Sequence, residues 1–148
     1  MINLTPFARP IFSCRVKESL RWEGNSEQVQ RNQLAWLIKS ACNTQWGEKY
    51  QYSTISCYEE FAQKVPVSSY EELSPWIMSQ LEGKCDVLWR GRINRFAQSS
   101  GTSNGKSKYI PITPDALQLC HYKGASDVVA HYLGLYPDSR MFSGKGFI

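Results

Sequence analysis

Ser99-Ser100-Gly101-Thr102-Ser103-Asn104-Gly105-Lys106-Ser107-Lys108 is the stretch on which the reading of this chain turns. Its glycines permit positive φ and let backbone N–H groups come close to an anion. Hydroxyls at Ser100, Thr102 and Ser103 can donate to phosphate oxygens, and the closing lysines supply charge. Small residues, hydroxyls and lysines in that order have the chemistry of a phosphate cradle. Upstream, residues 87–89 and 93–98 read as short strands. Downstream, residues 107–112 read as a returning strand, so a hairpin closes around the loop. A Walker A loop has the pattern G-x-x-x-x-G-K-[ST] and runs directly into a helix. Here only three residues separate Gly101 from Gly105. The chain then continues as Lys108-Tyr109-Ile110-Pro111, an extended run ending at proline, so a Walker-type reading fails.

Outward from the hairpin the pattern is helical. Leu34, Leu37, Ile38 and Ala41 recur at helical spacing and predict a helix from Ser26 to Cys42, ended by Asn43, Thr44 and Gly47. Ser56-x-x-Glu59 has the form of a capping box before a short helix through Phe61, which stops ahead of Pro66. Ser69-x-x-Glu72 repeats the signature. Tyr70, Leu73, Ile77 and Leu81 follow as a stripe, with Pro75 leaving Ser74 as a second possible start and Gly83 as the stop. After the hairpin, Thr113 and Pro114 suit an N-cap and a first helical residue. That helix should run to about Leu133, with Gly134 as its terminator, and residues 141–148 read as a strand. Residues 1–25 show no clean periodicity and read as an irregular or partly helical arm before a domain over 26–148. The fold class is α/β in the sense of an α+β mix: a helical first half, a β-hairpin phosphate loop, a helix and a strand.

Composition narrows the function. With 148 residues, 42% hydrophobic and 20% charged, the chain has the means to build a core, which excludes wholesale disorder. No apolar run approaches the ~20 residues of a membrane helix. The first 25 residues lack the apolar core of a secretory signal, so the expected location is cytoplasmic. The formal charge of +4 is too small to indicate nucleic acid by itself. It is concentrated instead: Lys84, Arg90, Arg92, Arg95, Lys106 and Lys108 against Asp86 make residues 84–108 +5, which favours small anions. Five cysteines with no CxxC pair, and His121 and His131 away from any Cys pair, give neither a zinc site nor a disulfide framework, so buried free thiols are expected. Ser100 has no evident His/Asp partner, which argues against a serine nucleophile. The tryptophans and tyrosines read as packing residues, and His121 as a helix-packing or surface residue. The run Gly146-Phe147-Ile148 ends without a turn or polar tail, and the expectation is a truncated chain.

Ser-Ser-Gly-Thr-Ser followed by a terminal lysine is similar to the Ser/Thr/Gly-rich signature of adenylate-forming enzymes. Within that superfamily the chain resembles the auxin-responsive acyl acid amido synthetase family. The resemblance extends through Gln33-Leu34 to Thr44-x-x-Gly47, Tyr58-Glu59-Glu60-Phe61, Val65-Pro66-Val67, Tyr70-Glu71-Glu72-Leu73, Phe96-Ala97-Gln98 and Ser107-Lys108-Tyr109-Ile110-Pro111. It covers roughly residues 28–148. Asn104 and Lys106 depart from residues common in the superfamily; matching the motif end to end favours Lys108 over Lys106 as the phosphate contact. The resemblance implies the N-terminal part of an adenylate-forming large domain, without the remainder of that domain or the C-terminal lid. It implies ATP and Mg²⁺ as cofactors, with small carboxylic acid and amino acid substrates. The acid attacks the α-phosphate of ATP to give an acyl-adenylate, and an amine then forms the amide. It also implies Ser99, Ser100, Gly101, Thr102, Ser103 and Lys108 as nucleotide-phosphate ligands, with no protein metal ligand assigned. A piece of this length is expected to be inactive alone. The alternatives are a non-catalytic or divergent nucleotide-binding module and an acyl-CoA ligase of the same superfamily.

Overall fold

The computed structural model describes residues 3–100 and 107–144. They form a mostly helical chain with one two-stranded antiparallel sheet, the α/β mix expected from the sequence. Two compact units divide it, one of residues 27–114 and one pairing residues 1–26 with 115–148. No helix among the described residues is long and apolar enough to cross a membrane.

The first of these units opens with α2 (Ser26–Ala41), close to the predicted bounds. Its stripe turns Ile38 and Ala41 into a core with Tyr52 and Ile55, against which Leu34, Trp46, Phe61 and Trp89 pack. Thr44 then ends one helix and starts the next, α3 (Gln45–Lys49). Its hydroxyl donates to the Ala41 carbonyl at 2.7 Å and accepts from the Gly47 N–H at 3.0 Å. Helix α4 (Tyr58–Lys64) does not use the box predicted from Ser56 and Glu59. Cys57, in an extended conformation, is its N-cap, so the start lies later. The carboxylate in reach of Ser56 is therefore Glu60, which accepts from the Ser56 N–H at 2.7 Å and hydroxyl at 3.0 Å. At α5 (Tyr70–Leu81) the box forms as predicted. Ser69 and Glu72 each accept from the other's backbone N–H, so the helix starts at Tyr70 and carries Pro75 inside it. Gly83, at φ +96°, closes it.

Residues 87–89, predicted as a strand, are not one. Asp86 and Gly91 take positive φ and clasp each other. The Asp86 N–H donates to the Gly91 carbonyl at 3.0 Å, and the Gly91 N–H donates to Asp86 Oδ1 at 2.6 Å. The carbonyls of Asp86 and Val87 accept from Gln45 and Trp46 N–H at 2.8 and 3.0 Å. The segment thus satisfies the open start of α3 instead of a strand ladder. Beyond it, β1 (Phe96–Gln98) and β2 (Tyr109–Pro111) form the predicted hairpin, shorter than the sequence suggested, with Phe96 opposite Pro111 and Gln98 opposite Tyr109. Pro111 is tolerated because a two-stranded sheet leaves each strand with a free edge.

In the other unit the N-terminal segment, expected to be irregular or partly helical, takes the helical form: α1 (Thr5–Ser19) is a continuous helix. It packs on α7 (Lys123–Leu135). The chain enters α7 through α6 (Pro114–Ala116), which begins at Pro114 as predicted, and a π-helical stretch, Leu117–Tyr122. Arg15 bonds Asp127 and Glu18, Lys123 meets Glu18 at 3.2 Å, and Ser19 Oγ lies 2.8 Å from His131 Nε2. Gly134 does not terminate α7, which runs to Leu135 with Tyr136 as C-cap. Gly134 is absent from the positive-φ glycines, so it continues the helix as any residue would. Residues 141–143, read as the start of a strand, are instead a single 3₁₀ turn. It is held where the Phe142 N–H donates to Thr5 Oγ1 at 3.0 Å and the Phe142 ring stacks on Phe12. The rest of that predicted strand, residues 145–148, lies outside the described residues.

Candidate functional site

The hairpin neck brings Ser99 and Lys108 together. The Ser99 N–H donates to the Lys108 carbonyl at 2.9 Å, continuing the ladder one step beyond β1. The Lys108 N–H donates not to a backbone carbonyl but to Ser99 Oγ, also at 2.9 Å. The serine side chain therefore takes the place of a backbone acceptor at the neck. Its own hydroxyl hydrogen is not consumed by that bond. Ser100 is exposed just beyond the neck. Gly101, Thr102 and Ser103, and with them Asn104 and Lys106, lie outside the described residues. After Lys108 the chain enters β2, not a helix, which is incompatible with a Walker A loop.

Sequence reading missed the two residues that meet Lys108. Its ammonium lies 3.7 Å from Glu71 Oε1 and 4.8 Å from the centre of the Tyr70 ring. Tyr70 also accepts, through Oη, the N–H of Tyr109 at 2.9 Å. In the sequence Tyr70 reads as part of an apolar stripe and of a segment resembling the family, and no spacing rule links it to a residue so distant along the chain. The adjacent capping box gives α5 a fixed start: the Ser69 N–H and hydroxyl donate to the Glu72 carboxylate, holding it below the usual carboxylate range. The remaining basic residues of the cluster do not all converge on the neck. Arg92 lies over Gly83 at the far end of α5, where a Cβ would come within 2.9 Å of its guanidinium.

The five cysteines are free, but they are not buried: Cys14, Cys57, Cys85 and Cys120 are exposed and Cys42 is half-buried. His121 is an exposed surface residue stacked edgewise on Tyr122. Trp36 packs on Trp89 and Trp46 on Trp76. Away from the hairpin, α2 and residues 52–61 line a groove of 810 Å³ floored by Leu34, Ile38, Tyr52, Ile55 and Phe61. No group of three or more His, Cys, Asp or Glu side chains among the described residues is arranged to hold a metal ion.

The family model described as the GH3 family N-terminal domain matches residues 15–147. The chain is 32% identical over 94 residues to the indole-3-acetic acid-amido synthetase GH3.2 of Arabidopsis thaliana, covering 63% of this chain and 17% of that protein. It is 33% identical over 124 residues to the putative indole-3-acetic acid-amido synthetase GH3.10 of Oryza sativa subsp. japonica, covering 82% of this chain and 25% of that protein. The chain thus spans a quarter or less of the length of these curated relatives. The family model takes in the end of α1, the helices from α2 to α7 and the hairpin with its Ser99–Lys108 neck, and on that match the chain belongs to the GH3 family.

Proposed function

We infer that this chain supplies the phosphate-gripping part of an ATP-dependent acyl acid–amino acid ligase of the adenylate-forming type. The relatives are named amido synthetases, which places the family among ligases. In this reading a carboxylic acid is first activated as an acyl-adenylate and an amino acid then takes the acyl group as an amide. The activity is proposed for a protein of the relatives' full length, acting in the cytoplasm; this chain contributes the grip on phosphate.

One observation carries the reading: a hairpin neck, on either side of the Ser/Thr/Gly-rich sequence, that sets the Ser99 hydroxyl beside the backbone of Lys108. The residues fit a phosphate group. Lys108 keeps 39% of its side chain exposed, so its ammonium can reach an anion at the loop. Ser100, next in the chain after Ser99, is exposed. Bound ATP supplies a good leaving group in pyrophosphate. The chain's own part is to hold that charge in place, which is positioning and electrostatics rather than covalent catalysis. The described residues hold no group of three or more His, Cys, Asp or Glu side chains arranged for a metal ion. Mg²⁺ is commonly held through substrate phosphates with few protein ligands, so it enters this proposal with the nucleotide.

Isothermal titration of the chain with MgATP tests the grip. Lys108→Ala should weaken binding by about tenfold or more, the loss of one charge-assisted contact. Unchanged affinity in that variant would overturn the assignment. The chain alone should release no pyrophosphate in response to carboxylic acids, whereas a protein of the relatives' full length should. Profiling that longer protein with amino acids and with coenzyme A separates amide formation from thioester formation.

A further inference from the structure

The geometry points to Tyr70 and Glu71 as positioning residues for Lys108: they hold its ammonium at the hairpin neck, and phosphate takes it over from Glu71. This rests on the phosphate reading of the loop. Three restraints converge on one lysine. Its backbone N–H is held by Ser99 Oγ at 2.9 Å, its ammonium stands 4.8 Å over the Tyr70 ring, and Glu71 Oε1 is 3.7 Å away. Tyr70 in addition ties α5 to β2 by accepting the Tyr109 N–H at 2.9 Å. Tyr70 and Glu71 are the first two residues of α5, whose start is pinned by the Ser69–Glu72 capping box. The lysine is thus referenced to a helix end, not to a loop.

The two contacts differ in kind. Glu71 is 70% exposed and its pairing is long, so it is an exchangeable partner. A phosphate group carries more charge and more acceptors and displaces it. The Tyr70 ring lies under the ammonium and does not compete for it as an anion does, so it keeps the cation over the neck in both states.

Nuclear magnetic resonance of the full chain tests the positioning without nucleotide. The Lys108 ε-protons should be shifted upfield by the Tyr70 ring, keep that shift in Tyr70→Phe and lose it in Tyr70→Leu. Tyr70→Phe should instead speed exchange of the Tyr109 amide, whose acceptor it removes. Identical ε-proton shifts in wild type and Tyr70→Leu would overturn the role of Tyr70. Should Tyr70→Leu fail to fold, an unshifted ε-proton signal in wild type, or unchanged Tyr109 exchange in Tyr70→Phe, would do so. MgATP titration then tests the exchange. Glu71→Gln should bind about two- to fivefold more tightly than wild type, because the competing carboxylate is gone. If Lys108→Ala loses binding while Glu71→Gln gains none, the role of Glu71 is overturned and the phosphate reading stands. If Lys108→Ala binds as wild type does, the phosphate reading falls and takes the exchange with it, while the ring-current result still decides the role of Tyr70.

Discussion

Gly47 has no room for a side chain. A Cβ there would sit 2.0 Å from the Ala41 carbonyl oxygen and 2.9 Å from its carbon, both backbone atoms. The contact follows from the cap at Thr44, whose hydroxyl joins the end of α2 to the Gly47 N–H and so brings α3 down onto the last turn of α2. Gly47→Ala should therefore cost about 1–3 kcal/mol, the usual range for overpacking, with the upper end favoured because backbone must move. Thr44→Ala should cost about 1 kcal/mol through the lost cap. Urea unfolding of both variants checks this, and a Gly47→Ala protein as stable as wild type would show that α3 does not lie so close to α2. The Thr44-x-x-Gly47 spacing was legible in the sequence as the end of a helix. That the same two residues also begin the next one was not, because the requirement comes from the approach of the Ala41 carbonyl and not from local propensity.

At the scale of elements, two helix starts depend on carboxylates. Glu72 completes the capping box of α5 and Glu60 ties Ser56 to the first turn of α4, each held below the usual carboxylate range first by a backbone N–H, of Ser69 and of Ser56 respectively. In the unfolded chain such groups protonate near pH ~4.3. Because the folded pKa is the lower one, the folded state binds fewer protons there. These contacts contribute fully above that pH and lose their contribution as pH falls through the folded values. The unfolding midpoint should hold from pH 7 to about 5 and decline below that. A Glu60→Gln/Glu72→Gln double variant should be less stable at pH 7 and show a flatter decline. Parallel profiles would place the acid sensitivity elsewhere. The same pair shows what a sequence can and cannot say about an element. At Ser69 the residue types and their spacing were enough. At Ser56 the spacing pointed to Glu59, and the extended conformation of Cys57 moved the start so that Glu60 faced the serine. Residues 87–89 failed as a strand for a similar reason: their hydrophobicity reflects the burial of Val87, 0% exposed, while the carbonyls of Asp86 and Val87 serve α3.

Across the whole molecule the two units are built differently, and this part was least legible. The unit of residues 27–114 buries Ile38, Ala41, Tyr52, Ile55, Ile77, Val87 and Ile93. The unit that pairs α1 with α7 buries only Ala130 and Leu133 among its described hydrophobic residues. It relies on polar links: Arg15 to Asp127, Lys123 to Glu18 and Ser19 to His131. Glu18 is held below the usual carboxylate range first by Lys123 and then by Arg15. Periodicity could not reveal α1, because Phe7 and Ile11 remain exposed and its partners lie more than a hundred residues away. Apolar burial is the larger source of stability, and surface ion pairs are weak and screened by salt. Native-state hydrogen exchange in increasing urea should therefore show α1 and α7 opening at lower denaturant than α2 and α5. Added salt and Asp127→Asn should each speed exchange in α1 while leaving the amides around Ile38 and Ile77 unchanged. Simultaneous opening of all four helices, or an Asp127→Asn effect that reaches α2 and α5 equally, would mean that the polar links are not what holds α1 to α7.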